Sequence, residues 1–85
     1  MAVINKKIEG ILDLLIEVSE DRTVPRNIRA AATNAAEIMK DDSKEIIVRA
    51  SEALGLLDEI ATDLNMPVHA RTKIWNIVGE LESLK

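Results

Sequence analysis

Cysteine is absent from the 85 residues of this sequence, which excludes disulfide bonds and thiolate metal ligands. Phe and Tyr are absent too, and Trp75 is the single aromatic residue. The longest apolar run, residues 11–16, contains Asp13 and is far too short to cross a bilayer. The N-terminal stretch also lacks the basic start, apolar run and cleavage site of a signal peptide. We therefore expect a soluble, cytoplasmic protein with no membrane partner.

The residues that are present are mainly Ile, Leu, Val, Ala and charged residues, with 47% apolar and 31% charged in total. Small aliphatic side chains suit closely packed helices, and three glycines and two prolines leave room for few turns. This composition predicts one all-α domain over residues 1–85, near the lower size limit for a single core. The net charge of −4 argues against binding to nucleic acid, which requires Lys and Arg to neutralise phosphates.

The sequence contains an internal repeat. Residues 12–34 and 54–76 align at an offset of 42 positions, and eight of the 23 aligned pairs are identical. A period near 40 residues is typical of arrays of helix pairs. We expect repeat 1 at about residues 1–42 and repeat 2 at about residues 43–85. The identical pairs are Leu12 with Leu54, Leu14 with Leu56, Leu15 with Leu57, Glu17 with Glu59, Asp21 with Asp63, Pro25 with Pro67, Arg29 with Arg71 and Asn34 with Asn76.

Apolar residues recur at steps of three and four along four segments, which predicts four amphipathic helices. The first covers about residues 3–19 and the second about residues 24–40. The third is predicted to be the longest, with about 21 residues and with Leu64 on its buried face. The fourth follows Asn65. The buried face of the first helix is predicted to contain Ile4, Ile8, Ile11, Leu15 and Val18, with Leu12, Leu14 and Ile16 beside it.

The helix ends carry capping signals. Thr23 and Asn65 are predicted to cap the second and fourth helices, because each precedes a proline by two positions. Asp42 or Ser43 is predicted to cap the third helix. Gly55 lies in the middle of this third helix, where a kink would divide it and give five helices in place of four.

An Asp and an Arg recur around the turns of the two repeats. Asp21 precedes Arg29 by eight residues, and Asp63 precedes Arg71 by the same spacing. These residues resemble the turn of a HEAT-type repeat, in which a turn Asp and a second-helix Arg tie the helix pair together. The resemblance implies two HEAT-like antiparallel helix pairs in one compact array, with both Asp–Arg pairs as structural ties. The same spacing occurs a third time, at Asp41 and Arg49.

Two longer stretches, VPRNIRAAATNA and MPVHARTKIWNIVGELESL, resemble a small archaeal family known only as an uncharacterised protein family. The resemblance covers most of residues 10–84. It implies an all-helical fold, and it implies no activity. The function therefore has to be argued from the residues themselves.

His69 is the only histidine, and it lies near the start of the fourth helix. Cysteine is absent and the serines lie at helix ends or on polar faces, so the sequence offers His69 no nucleophile or metal co-ligand. The paired Glu and Glu-x-x-His pattern of metal-binding bundles is missing. A Gly-rich phosphate loop and a dinucleotide fingerprint are missing as well. We predict a protein that is not an enzyme and that uses no metal and no cofactor.

The second and fourth helices present matching uncharged side chains at the repeat offset. Asn is a poor residue in mid-helix, so Asn34 and Asn76 at equivalent positions call for an explanation. One interpretation is that they hydrogen-bond to each other or to nearby backbone. The other is that they belong to a docking ridge for a partner. The ridge would contain Asn27, Ala30 and Asn34 on the second helix, and His69, Thr72 and Asn76 on the fourth.

We predict a non-catalytic protein–protein interaction module whose biological role the sequence does not reveal. Its partner would be another protein or a second copy of the chain. A homodimer would bury apolar residues on the first or third helix that an array of only two repeats leaves exposed to solvent. An enzyme subunit that a partner completes is the third choice. The main alternative is a small nucleic-acid-associated accessory protein that uses a basic patch without aromatic residues for base stacking. This patch would consist of Arg22, Arg26, Arg29, Lys40 and Lys44.

Overall fold

The computed structural model describes the backbone of residues 2–85 and the side chains of residues 5–85. Within residues 2–85 the chain forms four α-helices and no strands, as the apolar periodicity predicts. Gly55 lies inside the third helix without interrupting it, so this part of the chain has four helices and not five. None of these helices is long and apolar enough to cross a membrane. They are α1 (Ala2–Glu20), α2 (Arg26–Lys40), α3 (Ile46–Ile60) and α4 (Val68–Glu82).

The helices form a ring in which each one packs against two others. α2 packs on α1 and α3, and α4 packs on the same two helices. Short turns make consecutive helices antiparallel. Lys7 Nζ, near the start of α1, lies 3.0 Å from Ser83 Oγ, just after α4, so these two helices are antiparallel as well. The body measures 36 × 18 × 18 Å.

This arrangement confirms an all-α fold with two antiparallel helix pairs in one compact array. HEAT-like stacking is not confirmed, because equivalent helices of successive pairs would then pack on each other. Over residues 2–85, no Cα atom of α1 lies within 8 Å of one in α3, and none of α2 lies within 8 Å of one in α4, so these helices face each other only across the core. The ring is instead that of an up-and-down four-helix bundle. With only two pairs, closing the ring buries apolar faces that an open stack would leave exposed at both ends.

A single core of apolar side chains fills the ring. α2 contributes Ala32, Ala35 and Ala36, and these small side chains let it lie closer to α1 and α3 than α4 does. α4 contributes the larger Ile74 and Ile77 in their place. The unequal side chains of the two repeats therefore produce one tightly packed helix and one that stands further out.

The buried face predicted for α1 is confirmed where it can be compared. Ile11, Leu15 and Val18 are buried, and Ile8 is half-buried against the core. The side chain of Ile4 lies outside the described residues. Leu12 and Leu14 are half-buried against the core, whereas Ile16 is 38% exposed.

α3 is shorter than the sequence predicts. It has 15 residues, and α1, with 19, is the longest helix of residues 2–85. The carboxylate of Asp63 accepts a hydrogen bond from the backbone N–H of Asn65 at 2.9 Å, and this bond holds the chain in a turn instead of a longer helix. Leu64, which the sequence places on a buried face, is 90% exposed in this turn.

All three turns share one design, in which an Asp carboxylate accepts the backbone N–H two residues on. Because these side chains fix the turn before the helix begins, the capping predictions for Thr23, Asn65, Asp42 and Ser43 are wrong. In the described part of the chain, α2, α3 and α4 each start without a side-chain cap. The turn bonds run from Thr23 to Asp21 (2.9 Å), from Ser43 to Asp41 (3.0 Å) and from Asn65 to Asp63 (2.9 Å).

Candidate interaction surface

Two of the arginines that follow a turn Asp by eight residues, Arg49 and Arg71, donate to main-chain carbonyls. Arg71 Nη2 donates to the backbone carbonyl of Asp63 at 3.2 Å, and Arg49 Nη1 donates to a carbonyl near the end of α2 at 2.9 Å. Within residues 5–85, no ion pair joins Arg71 to the carboxylate of Asp63, and none joins Arg29 to Asp21. Arg71 therefore bonds the main chain of Asp63 and not its carboxylate, and the role of the Asp21–Arg29 and Asp63–Arg71 pairs as structural ties stays a prediction.

The two turn carboxylates are bonded across the bundle instead. His69 Nε2 lies 2.7 Å from Asp21 Oδ2, and Asn27 Nδ2 donates to Asp63 Oδ2 at 3.2 Å. The offset of 42 positions converts one pair into the other, so the bundle has an approximate two-fold symmetry that exchanges its halves. These bonds are not predicted from the sequence, although Asn27 and His69 occupy equivalent positions in the repeat.

The turn bonds also set the ionisation of the carboxylates. The hydroxyl and N–H of Thr23, and then His69, lower the pKa of Asp21 to about 2. The N–H of Asn65 is the main cause of the lowered pKa of Asp63. Both carboxylates are therefore ionised acceptors at neutral pH, with one oxygen in the turn bond and the other bonded across the bundle. Among residues 5–85, no group of three or more His, Asp or Glu side chains is arranged to hold a metal ion.

The structure divides the predicted ridge into two. No Cα atoms of α2 and α4 come within 8 Å of each other in residues 2–85, so Asn34 and Asn76 lie on different parts of the surface. Asn27 and His69, in contrast, lie at the same end of the bundle, each bonded to the turn that precedes the other's helix. The Asn27 and His69 side chains are engaged in the bonds described above. Asn34 and Asn76 are exposed and, among the described residues, form no side-chain hydrogen bond, which leaves their proposed pairing unsupported.

The basic residues around α2 are likewise dispersed. Arg22 and Arg26 lie at the turn before α2, whereas Lys40 and Lys44 lie at its opposite end. Lys40 Nζ is 3.9 Å from Glu37 Oε1, and Lys44 Nζ is 3.1 Å from a carboxylate oxygen on α3. These positions weaken the nucleic-acid interpretation, because the charges are separated along the helix and two of them have acidic neighbours.

One side of α4 carries large apolar side chains that the core does not cover. Val68 is 80% exposed and Trp75 is 55% exposed. The two residues are seven positions apart, which is two helical turns, so they lie on the same side of α4. The exposed Leu64 lies in the turn just before this helix. We name this side the α4 stripe; it contains Val68, Thr72, Trp75, Gly79 and Glu82.

A groove of 440 Å³ opens between α3 and α4 beside the α4 stripe. Glu82 belongs to both, and it follows Trp75 by two helical turns, so the stripe and the groove form one continuous surface. Gly55 lies on the α3 side, where an added Cβ would meet nothing within 4 Å. The backbone of α3 is therefore accessible from this side. The groove is lined by Ser51, Leu54, Gly55, Asp58, Glu82 and Lys85.

Comparison with known proteins places this fold in a family. The model of the uncharacterised protein family UPF0147 matches residues 1–84 of the chain. The chain belongs to this family. A UPF0147 protein of Methanocaldococcus jannaschii is 51% identical over 78 residues, which cover 92% of this chain and 84% of the relative. A UPF0147 protein of Pyrococcus horikoshii is 46% identical over 86 residues, which cover 100% of this chain and 92% of the relative. Both are archaeal proteins, as the resemblance of the two long stretches implies.

Two solved structures have the same fold. The crystal structure of a family member from Thermoplasma acidophilum is 33% identical, covers the whole of both chains and superposes with a TM-score of 0.94. A crystal structure of another protein of unknown function is 52% identical, with a TM-score of 0.88, and covers 93% of this chain and 90% of its own. These relatives establish the family and the fold, and their descriptions name no activity. The surface of the bundle is therefore the basis for assigning a function.

Proposed function

We propose that this UPF0147 protein is a non-catalytic protein–protein interaction module that binds its partner through the α4 stripe. The observation that carries the proposal is the position of Trp75, which is the only aromatic residue of the chain and lies outside the core. Trp is enriched among the residues that dominate binding energy at protein interfaces. Val68 and Leu64 extend the exposed apolar surface around one end of α4.

The remaining polar clusters fit structural roles. Asp21 and Asp63 fix turns, and His69 and Asn27 connect the halves of the bundle. His69 has both Asp21 and Thr23 as neighbours on its Nε2, with Thr23 Oγ1 at 3.2 Å. A hydroxyl that already donates to a carboxylate at 2.6 Å is poorly placed to serve as a nucleophile activated by the same imidazole. This arrangement supports the non-catalytic interpretation.

A homodimer remains a prediction within this proposal. The apolar residues beside the buried face of α1 are mostly half-buried in the monomer, so α1 offers less surface than the sequence implies. α3 offers more, because Ile47 is 52% exposed and Val48 is 43% exposed near its start. A self-association surface on α3 is therefore better supported than one on α1.

The proposal is tested by affinity isolation from archaeal cells that produce a UPF0147 protein, with the co-purifying species identified. The bait is compared with its Trp75→Ala variant and with Ile16→Ala, a control that shortens an exposed apolar side chain on α1. We expect a partner protein that is retained by the control and lost from Trp75→Ala, with both variants folded, as judged by far-UV circular dichroism. Equal retention by all three baits contradicts the role of the α4 stripe. A salt-sensitive gel shift with nucleic acid in place of a protein partner would favour the alternative function.

A further inference from the structure

We propose that the central turn, residues 41–45, is a hinge through which two copies of this chain exchange hairpins. The first hairpin consists of α1 and α2, and the second of α3 and α4. In the exchanged dimer, α2 and α3 of each copy form one continuous helix, and the first hairpin of one copy packs on the second hairpin of the other. The ring described above is the closed state of the same hinge, and the α4 stripe takes no part in the exchange.

The central turn differs from the other two turns in its sequence. Pro25 and Pro67 each stand four residues after the turn Asp, whereas Glu45 occupies this place in the central turn. Proline inside a helix removes a backbone hydrogen bond, and its ring clashes with the preceding turn. Residues 40–46 contain neither proline nor glycine. Of the three turns, the central one alone can therefore become helical without this penalty, and it then joins the helices on either side.

The closed structure does not account for the absence of proline from position 45. Glu45 has φ −64° and ψ 151°, close to the −54° and 150° of Pro25 and the −60° and 151° of Pro67. Among residues 5–85, no acceptor is bonded to the backbone N–H of Glu45. A proline would therefore fit the closed turn without strain and without a lost hydrogen bond. A second state in which residues 41–45 are helical accounts for its absence, because a proline would break that helix.

Exchange preserves the interface between the hairpins. In the closed chain the hairpins are joined by the apolar core and by the bonds from His69 to Asp21 and from Asn27 to Asp63. In the exchanged dimer the same contacts form between two copies, so a second copy is a complementary partner without any new surface. α2 packs against α3 in the closed chain, and the two helices are antiparallel. The two continuous helices can therefore lie side by side, with α2 of each copy against α3 of the other.

Bonds in the central turn hold the hinge closed. The carboxylate of Asp41 accepts a hydrogen bond from the backbone N–H of Ser43 at 3.0 Å and another from the Ser43 hydroxyl at 2.6 Å. Opening the hinge loses these bonds and gains the backbone hydrogen bonds of a longer helix. Glu45 and Arg49 then stand four residues apart on one helix, a spacing that favours an ion pair. Because two copies associate, the dimer becomes more populated as the protein concentration rises.

Substitutions in the turns test the hinge. The full chain is incubated at high concentration with moderate heating, and sedimentation velocity then measures monomer and dimer. Glu45→Pro should lower the association constant of the dimer by at least about a hundredfold, because each dimer would contain two prolines inside helices, whereas Glu45→Ala should leave it nearly unchanged. Asp41→Ala should raise the association constant about tenfold, because the closed turn loses its side-chain bonds. Asp63→Ala, the same change in the turn that contains Pro67, should have no such effect.

Label distances distinguish hairpin exchange from a side-by-side dimer. Because the chain has no cysteine, spin labels attach only at the introduced pair Ala30→Cys and Glu59→Cys, two exposed positions on the parts of α2 and α3 that are far from the hinge. Doubly labelled chain is incubated with an excess of unlabelled chain, and pulsed electron paramagnetic resonance measures the distance within one copy. In the closed chain both labels lie at the same end of a body 18 Å wide, whereas a continuous helix separates them by about 44 Å.

We expect the long distance in the dimer and the short one in the monomer, with Glu45→Pro monomeric and folded by far-UV circular dichroism. A dimer that shows only the short distance would overturn the proposal, and so would a folded Glu45→Pro chain that dimerises as well as the parent. The lack of any dimer in both the parent and Asp41→Ala would overturn it as well. If Glu45→Pro does not fold, the label distance in the parent dimer decides. None of these results depends on Trp75, so the proposed function is tested separately by affinity isolation.

Discussion

Replacing Gly55 by Ala should stabilise this protein. Gly55 lies in the middle of α3, which continues through it from Ile46 to Ile60, and its φ is negative. An added Cβ meets no atom within 4 Å, so the substitution introduces no clash and buries little surface. The gain therefore comes from the backbone: Ala restricts the unfolded chain more than Gly does and favours a helix interior.

The expected gain is about 1 kcal/mol in the free energy of unfolding, which is the difference between Gly and Ala inside a helix. For a domain of this size, 1 kcal/mol corresponds to a rise in Tm of about 4–8 °C. Urea unfolding and thermal unfolding, both followed by far-UV circular dichroism, measure the two quantities. The slope of the urea transition should not change, because the substitution leaves the surface exposed on unfolding almost the same.

Gly10 and Gly79 provide matched controls. Each lies within a helix, has a negative φ and has open space around an added Cβ. Their Ala variants should give similar gains, and the triple variant should give close to the sum of the three. A loss of stability at Gly55 with gains at the other two would refute the reasoning, because it would show that α3 needs a kink or a close contact at this position.

Three further predictions concern the turns and the oligomeric state. Arg71→Ala should lower the free energy of unfolding by about 1.5–3 kcal/mol. Because Arg71 bonds the backbone carbonyl of Asp63, a double-mutant cycle with Asp63→Ala, measured by urea unfolding, should show only weak coupling. Strong coupling would indicate a carboxylate–guanidinium pair. The bonded carboxylate of Asp21 contributes stability that is present above its ordinary pKa of 3.8 and is lost as pH falls towards about 2. The free energy of unfolding of Asp21→Asn should therefore depend less steeply on pH over that window. An unchanged pH profile would show that the bond contributes nothing. Sedimentation equilibrium at high micromolar concentration should detect a homodimer, and a single monomeric species would exclude it.

The helices and the core were predictable because they depend on local periodicity. The spacing of three and four residues between Ile11, Leu15 and Val18 identifies the buried face of the helix, whichever elements it packs against. The helix ends were harder, because Asp63 followed by Asn65 is compatible with a continued helix, a cap or a turn. The choice among them depends on which N–H group the carboxylate binds, and the sequence does not specify this.

The interaction surface depends on topology, which the sequence left open. Asn34 and Asn76 occupy equivalent positions, and a single ridge requires α2 and α4 to be neighbours. The closed ring separates these helices, so equivalent positions lie on different parts of the surface. Trp75 illustrates the same limit. Its place beside the apolar face of α4 is evident from periodicity, whereas its 55% exposure is known only from the structure.

The approximate two-fold symmetry has a consequence for how the chain is held together. Within residues 2–85, the halves are helical hairpins linked covalently once, through residues 41–45. The core and the bonds from Asn27 and His69 connect them without any covalent link. A cut in this central turn should therefore leave two fragments that complement each other. Because the hairpins share the 42-residue offset but differ in the core side chains of α2 and α4, each fragment should pair with the other hairpin in preference to its own copy.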